Sequence, residues 1–371
     1  ISAIAVWGDT LFLSADECAH VEVLHRLDDG SYGDHARIGL TTLFDLPNTD
    51  DEMDVEGLAV EDGWLWIIGS HSRTRRKPKN GRPLDDHGES RLAELKSNPN
   101  RAFLGRIPLA RIDYQGDRWG VAGVDSPKDK RRSGMLAIGG KGGGALSRQL
   151  KKDPHLGPFT AIPAKENGVD IEGIAVVDDH VAVGLRGPVI NGWACVLEFD
   201  VHAGKSGKLK LAAPYAKRWL DLDGLGVRDM KRDGDDLLIL AGPTMKLDGP
   251  SPVYRWRNWR SEAERLVKPE RLMCLPFGYA CDHAEAITPW PTIATMKLAA
   301  TAITMMSTDS TGATRIIATM RGATRRRVGS MPSTRIASIS SRTVRSPRSA
   351  VIADAPAPPR SSAAAMGAPC W

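Results

Sequence analysis

Apolar positions along the chain fall in short runs that alternate with polar positions, and helical spacing is nearly absent. Several runs open on one block, in which an acid, an apolar residue, a second acid and a glycine precede an apolar strand. It stands as DVEGLAVEDGWLWIIGS from Asp54, DIEGIAVVDDHVAVGLRG from Asp170 and DLDGLGVRDM from Asp221, with weaker copies HAEAIT from His283 and SAIAVWGDTLFLSADE from Ser2. Each copy reads as a β-hairpin. A short strand such as Gly57–Val60 meets a polar turn such as Glu61–Gly63 or Asp178–Asp179, and a β-branched, aromatic strand such as Trp64–Ile68 or Val181–Val183 returns. The best helical candidates are the short SRLAEL at 90–95 and SRQLKK at 147–152.

Aligning the second acid gives Ser2, Glu56, Glu172, Asp223 and Glu285, separated by 54, 116, 51 and 62 residues. Because 116 is twice 58, a degenerate copy is expected near residue 114, at RIDYQGDRWGVAG from Arg111. Six such units predict an all-β fold, a six-bladed β-propeller with an incomplete last blade, in which radial repetition shields the sheet edges. A solenoid, another β-repeat or a stacked β-sandwich is the structural alternative. The propeller is expected over residues 1–291, with a low-complexity basic tail over 292–371.

Composition refines this picture. With 371 residues, 42% hydrophobic and 26% charged, the chain can bury a large core as an ordinary soluble protein. No window approaches the roughly 20 apolar residues of a membrane helix. The chain starts at Ile1 rather than Met, so a missing N-terminus is expected and a signal peptide is not legible. Five scattered cysteines without a CxxC argue against a disulfide scaffold or structural zinc, and make a reducing cytoplasm the default. The net charge of +5 divides into +9 for residues 292–371 and −4 for the rest, so the body offers no case for nucleic acid. The tail has no Phe, Tyr, His, Glu, Asn or Gln. That is the composition of a G+C-rich gene read out of frame. As a real basic tail, its arginines would lack the aromatics that stack single strands.

The carboxylates carry the candidate chemistry. Acids at i and i+2 of an extended segment share one side. Equivalent positions of every blade form a ring around the axis, so Glu56, Glu172, Asp223 and Glu285 are expected to converge. Crowded carboxylates call for a cation, and an all-oxygen set suits Ca²⁺, with Mg²⁺ or Mn²⁺ less well matched. Hairpin return places His71 and Arg186 on the same rim, with Asp16, Glu17 and Thr244 in related places. A metal-bound water would attack, Arg186 would stabilise the oxyanion and His71 would shuttle protons. The plainer alternative is that the acids cap turns. HSRTRRKPKNGRPLDDHGES, within an insertion at about 71–106, reads as a basic loop that either covers the rim and draws in anions or is merely solvated. KGGGALSRQ lacks the phosphate-loop spacing, and no GxSxG elbow occurs.

These blocks, with GSHSRTRRKPK, DPHLGPF and LRGPVINGWACVLEFD, resemble a bacterial family known as domain of unknown function 3616 over about residues 1–290. The resemblance implies a propeller-like fold and no established activity. More distantly the repeat is similar to phytase-like esterase and lactonase propellers, many of which use calcium; that likeness is one of fold. Two functions are therefore expected as alternatives. One is a divalent-metal-dependent hydrolase of a small phosphoester, ester or lactone. The other is a non-enzymatic binding or scaffold propeller that holds a protein or peptide on its face.

Overall fold

The computed structural model describes residues 1–15, 18–48, 53–78, 86–113, 116–139, 144–204, 206–261, 263–275, 284–290, 302–308, 314–320 and 337–338. Among the described residues five sheets of four or more strands, chiefly antiparallel, follow one another in the chain, beside a two-stranded ribbon. Blade 1 is Ala3–Trp7, Thr10–Ser14, His20–Arg26 and Tyr32–Gly39; blade 2 is Val55–Glu61, Trp64–Gly69, Leu104–Asp113 and Arg118–Val121. Blade 3 is Asp170–Val177, His180–Ile190, Trp193–Ala203 and Ala216–Asp221, and blade 4 is Gly226–Asp233, Asp236–Gly242, Ser251–Trp256 and Glu270–Leu275. In the fifth sheet Ala286–Trp290 pairs with Ala302–Thr308, which continues into Thr314–Met320 and Ala337–Ser338. The first strands of the five sheets pack against one another in order, and the fifth returns to the first, closing a ring. The fold is a β-propeller, as the hairpin repeat predicts.

The blade count departs from expectation. The stretch from Arg111 is not a sixth unit but the outer pair of blade 2, where Trp119 faces Arg111 and Val121 faces Leu109. The doubled spacing between Glu56 and Glu172 comes instead from two insertions. One holds the Thr74–Arg75/Leu95–Lys96 ribbon and the helix Asp86–Ala93; the other holds the helix Ala145–Lys152 and two 3₁₀ turns. Both helices overlap the two short helical candidates.

Blades 2, 3 and 4 are packed on both faces of their inner strands, which explains why their return strands read as unbroken apolar runs. In blade 2, Leu65 and Ile67 pack toward blade 1, whereas Trp66 and Ile68 pack toward blade 3. In blade 4, Leu237 and Ile239 face blade 3, and Leu238 and Leu240 face blade 5. Ile4, Leu11, Leu13 and Ala286 close the ring between blades 5 and 1.

The repeated glycine has a steric cause. A Cβ on Gly173 would lie 2.9 Å from the Met230 nitrogen of the next blade, and one on Gly57 would lie 2.9 Å from Ile174 Cγ2. Inner strands approach too closely there for any side chain. The DPHLGPF block is pinned to blade 3 by Asp153. Its carboxylate accepts from Lys217 Nζ at 2.7 Å, Tyr215 Oη at 2.9 Å and the backbone nitrogens of His155 and Leu156 at 2.8 and 3.0 Å. Burial would raise its pKa, but these donors outweigh it and hold it at about 2. Cys18 and Cys195 are free thiols, whereas Cys274 is disulfide-bonded. No helix among the described residues is long and apolar enough to cross a membrane.

Candidate functional site

Each inner strand of blades 2, 3 and 4 carries a β-bulge near its start. Pairing runs from Val55–Gly69 to Gly57–Ile68, from Ile171–Leu185 to Gly173–Gly184, and from Val227–Ala241 to Asp229–Leu240. The residues left out of the ladder are Glu56, Glu172 and Arg228. A bulge re-aims its extra side chain, and here all three line one cavity of about 300 Å³ at one end of the propeller axis. Ser2 and Glu285, just before the inner strands of blades 1 and 5, line the same cavity. The ring is therefore Ser2, Glu56, Glu172, Arg228 and Glu285.

Sequence alignment misplaces one member. Asp223 lies in the turn between blades 3 and 4, at φ +58°, where it accepts from Tyr254 Oη at 2.7 Å; it does not line the cavity. Its place is taken by Arg228. The signal was available in the turns: Ser2, Glu56, Glu172 and Arg228 each stand six residues before a positive-φ turn residue, namely Gly8, Asp62, Asp178 and Gly234.

The wall of the cavity is a charge network. Arg186 Nη1 donates to Glu172 Oε1 at 2.5 Å, and its Nη2 lies 3.4 Å from Asp170 Oδ2. Arg228 spans Glu172 Oε2 and Glu285 Oε1, each at 3.5 Å. On the blade 2 side, Arg101 Nη1 donates to Asp54 Oδ2 at 2.6 Å and to Ser72 Oγ at 3.1 Å. Asp170, Glu172 and Arg186 are all buried. Burial pushes the Asp170 carboxyl up to about 8, with Glu172 and Asp54 adding to the rise and Arg186 opposing it. Burial acts to lower the Arg186 pKa, but Glu172 and Asp170 outweigh it and hold the guanidinium above its usual range.

Arginines accompany the acids that the motif offers as metal ligands. Guanidinium groups stand between the carboxylates, where the expected ring would need a cation shared by all of them. Among the described residues no three His, Cys, Asp or Glu side chains form a group that could hold a metal ion. The donor set does not fit Ca²⁺, Mg²⁺ or Mn²⁺. His71 is also displaced from the rim. At φ +54° it turns into a neighbouring cavity of about 410 Å³, with Nδ1 at 3.5 Å from Ser147 Oγ. Burial lowers its pKa to about 4, so the ring is neutral. Asp16, Glu17 and His283 lie outside the described residues, and Thr244 does not line the cavity. Arg186 is where hairpin geometry puts it.

The basic insertion does reach the site. The ribbon strand Thr74–Arg75 crosses above the cavity, and Arg75 pairs with Glu166 of the 3₁₀ turn Ala164–Glu166. A backbone bond from Ala164 N to Arg73 O at 2.9 Å fixes the same crossing. Arg73, Lys77 and Lys165 line the cavity beside this contact.

Among the described residues the fold and site define a propeller of five blades with an arginine–carboxylate pocket at one end of its axis. The chain belongs to the family described as Protein of unknown function (DUF3616), whose family model matches residues 1–321, past the boundary at 291. No curated protein matches the sequence. Among solved structures the chain is similar to an alpha-L-arabinanase from Cellvibrio cellulosa, with 10% identity and a TM-score of 0.38 over 86% of this chain and 93% of that one.

Proposed function

We propose that the axial pocket binds a small anionic molecule. The observation that carries this reading is the state of its charges. The pocket's buried acids face guanidinium partners, whereas Arg73, Lys77 and Lys165 at its mouth make no ion pair among the described residues. Unshared cations above a partly enclosed cavity raise the local concentration of anions and bind them by charge-assisted hydrogen bonds. The ribbon closes over part of this face, which favours a small molecule over a protein or peptide. Thermal melts at constant ionic strength check it. Inorganic phosphate is expected to raise Tm relative to chloride, and Arg73→Ala with Lys165→Ala is expected to abolish the rise while leaving the chloride Tm unchanged. An equal rise in both proteins, or none in either, would defeat the proposal.

A hydrolytic use of the same pocket, on a small ester, lactone or phosphoester, is favoured by one observation. Asp170 is a buried carboxyl at its wall, held protonated near neutral pH and able to give a proton to a leaving oxygen. Asp170→Asn should reduce turnover of a responding substrate by about 10²-fold or more, with the phosphate-induced rise in Tm retained. Turnover equal to wild type excludes Asp170 as the donor.

A further inference from the structure

We infer that Ser147 and His71 form a nucleophile–base pair that hydrolyses a small carboxylic ester in the cavity beside the axial pocket. This site does not rest on the anion reading. Its cavity measures about 410 Å³, within the roughly 300–1,000 Å³ of small-molecule sites, and shares with the axial pocket only Ser72, Arg73 and Arg101. Both partners are set by their elements. Ser147 lies in the helix Ala145–Lys152, whose Leu146 and Leu150 are buried and whose Gln149 Oε1 accepts from Tyr215 N at 3.2 Å. His71 sits at φ +54°, where its backbone nitrogen donates to Arg101 O at 2.9 Å. The other eight non-glycine residues at positive φ among the described residues are all Asp or Asn, so a histidine kept there points to a use for its ring.

The ring faces the serine. His71 Nδ1 lies 3.5 Å from Ser147 Oγ, a loose contact of the kind that tightens when a substrate binds. Burial keeps the imidazole neutral at pH 7, the state from which a base must start. Acting as base, the ring carries its resting proton on the buried Nε2 and accepts the Ser147 hydroxyl on Nδ1. The Phe103 carbonyl favours the protonated ring and so steadies the imidazolium once it forms. The cavity suits an ester. Buried Ile138, Leu150 and Val169 offer an apolar wall to a short acyl chain, while Arg73 and Lys151 bring positive charge for the developing oxyanion. Lys151 stands one helical turn beyond Ser147 and shares its face. In the first step Ser147 Oγ bonds to the carbonyl carbon and its proton passes to His71 Nδ1. The C–O bond to the alcohol then breaks as His71 gives that proton to the leaving oxygen. Water attacks the acyl group next. His71 takes a proton from the water and delivers it to Ser147 Oγ, which releases the acid.

The test is labelling of the full chain with a fluorophosphonate, read by mass spectrometry of the peptide that holds Ser147, beside release of p-nitrophenol from p-nitrophenyl butyrate. Ser147 is expected to carry the adduct. His71→Asn should slow labelling by about 10²-fold or more. Asparagine tolerates the left-handed backbone, so the Tm of this variant should stay near that of wild type. Ser147→Ala, at a helix position that alanine favours, should lower ester release by about 10²-fold or more. Hydrolysis in the axial pocket would instead survive Ser147→Ala. An adduct absent from Ser147, labelling of His71→Asn at the wild-type rate, or ester release that is absent or survives Ser147→Ala overturns the inference.

Discussion

Replacing Arg186 with Met is expected to destabilise the protein by about 3–5 kcal/mol at pH 7, the range for removing one partner of a buried ion pair. Arg186 is the shared cation of two buried acids, at 2.5 Å from Glu172 and 3.4 Å from Asp170. Met fills comparable space but leaves Glu172 ionised in a buried site, with Arg228 at 3.5 Å as its remaining counter-charge. Urea unfolding at pH 7 measures it. A loss below about 1 kcal/mol would show that the network is not held by this arginine.

The same network shows how far the sequence could be read. The hairpins were legible because each pairs an apolar run with a polar turn, and a closed ring buries both faces of every blade. Glu172, Glu56 and Arg186 were legible because hairpin register alone brings residue 172 beside 186. Arg228 was not found by matching letters, because an arginine in a ring of acids breaks the pattern that defines the motif. Its turn distance, equal to that of Glu56 and Glu172, is the physical signal. The blade count failed for a related reason. Spacing along the chain measures insertions as well as blades, and the ribbon and helices between Glu56 and Glu172 have the length of a blade without its strands. His71 shows the limit of alternation: a positive φ turns its side chain away from the rim that Ser72 lines. Calcium follows from crowded acids alone; Arg186 and Arg228, the cations beside Glu172, come from strand positions the motif does not include.

Asp229 stands in blade 4 where blades 2 and 3 have the motif glycine, and its replacement by Ala is expected to cost about 3–5 kcal/mol. The position is 1% exposed. In place of the close approach that glycine allows, the carboxylate fills the gap to blade 5 and accepts the Ile287 backbone nitrogen at 2.9 Å. Its other oxygen accepts from Met230 N at 2.8 Å and from Lys231 Nζ at 2.7 Å. Lys231, itself buried, reaches on to Leu58 O of blade 2 at 3.0 Å, so the pair ties three of the five inner strands together. Asp229→Ala strands a buried ammonium and orphans a backbone N–H of the last blade. Two outcomes distinguish this from a generic core defect. Hydrogen exchange should accelerate first in the peptide holding Ile287, because that strand loses its anchor. Adding Lys231→Met should recover part of the stability, since removing both charges avoids the unpaired one. A double variant whose loss equals the sum of the two single losses would mean that the charges do not act as a pair. The pair also has a pH signature. Burial pushes the Asp229 carboxyl up to about 6 against the pull of Lys231, so the folded state binds its proton more tightly than the unfolded chain does. Its contribution to stability is therefore most favourable below about pH 4 and declines as the pH rises through 6, the reverse of the usual surface acid. In wild type minus Asp229→Ala, the stability advantage should narrow across that window and then level off.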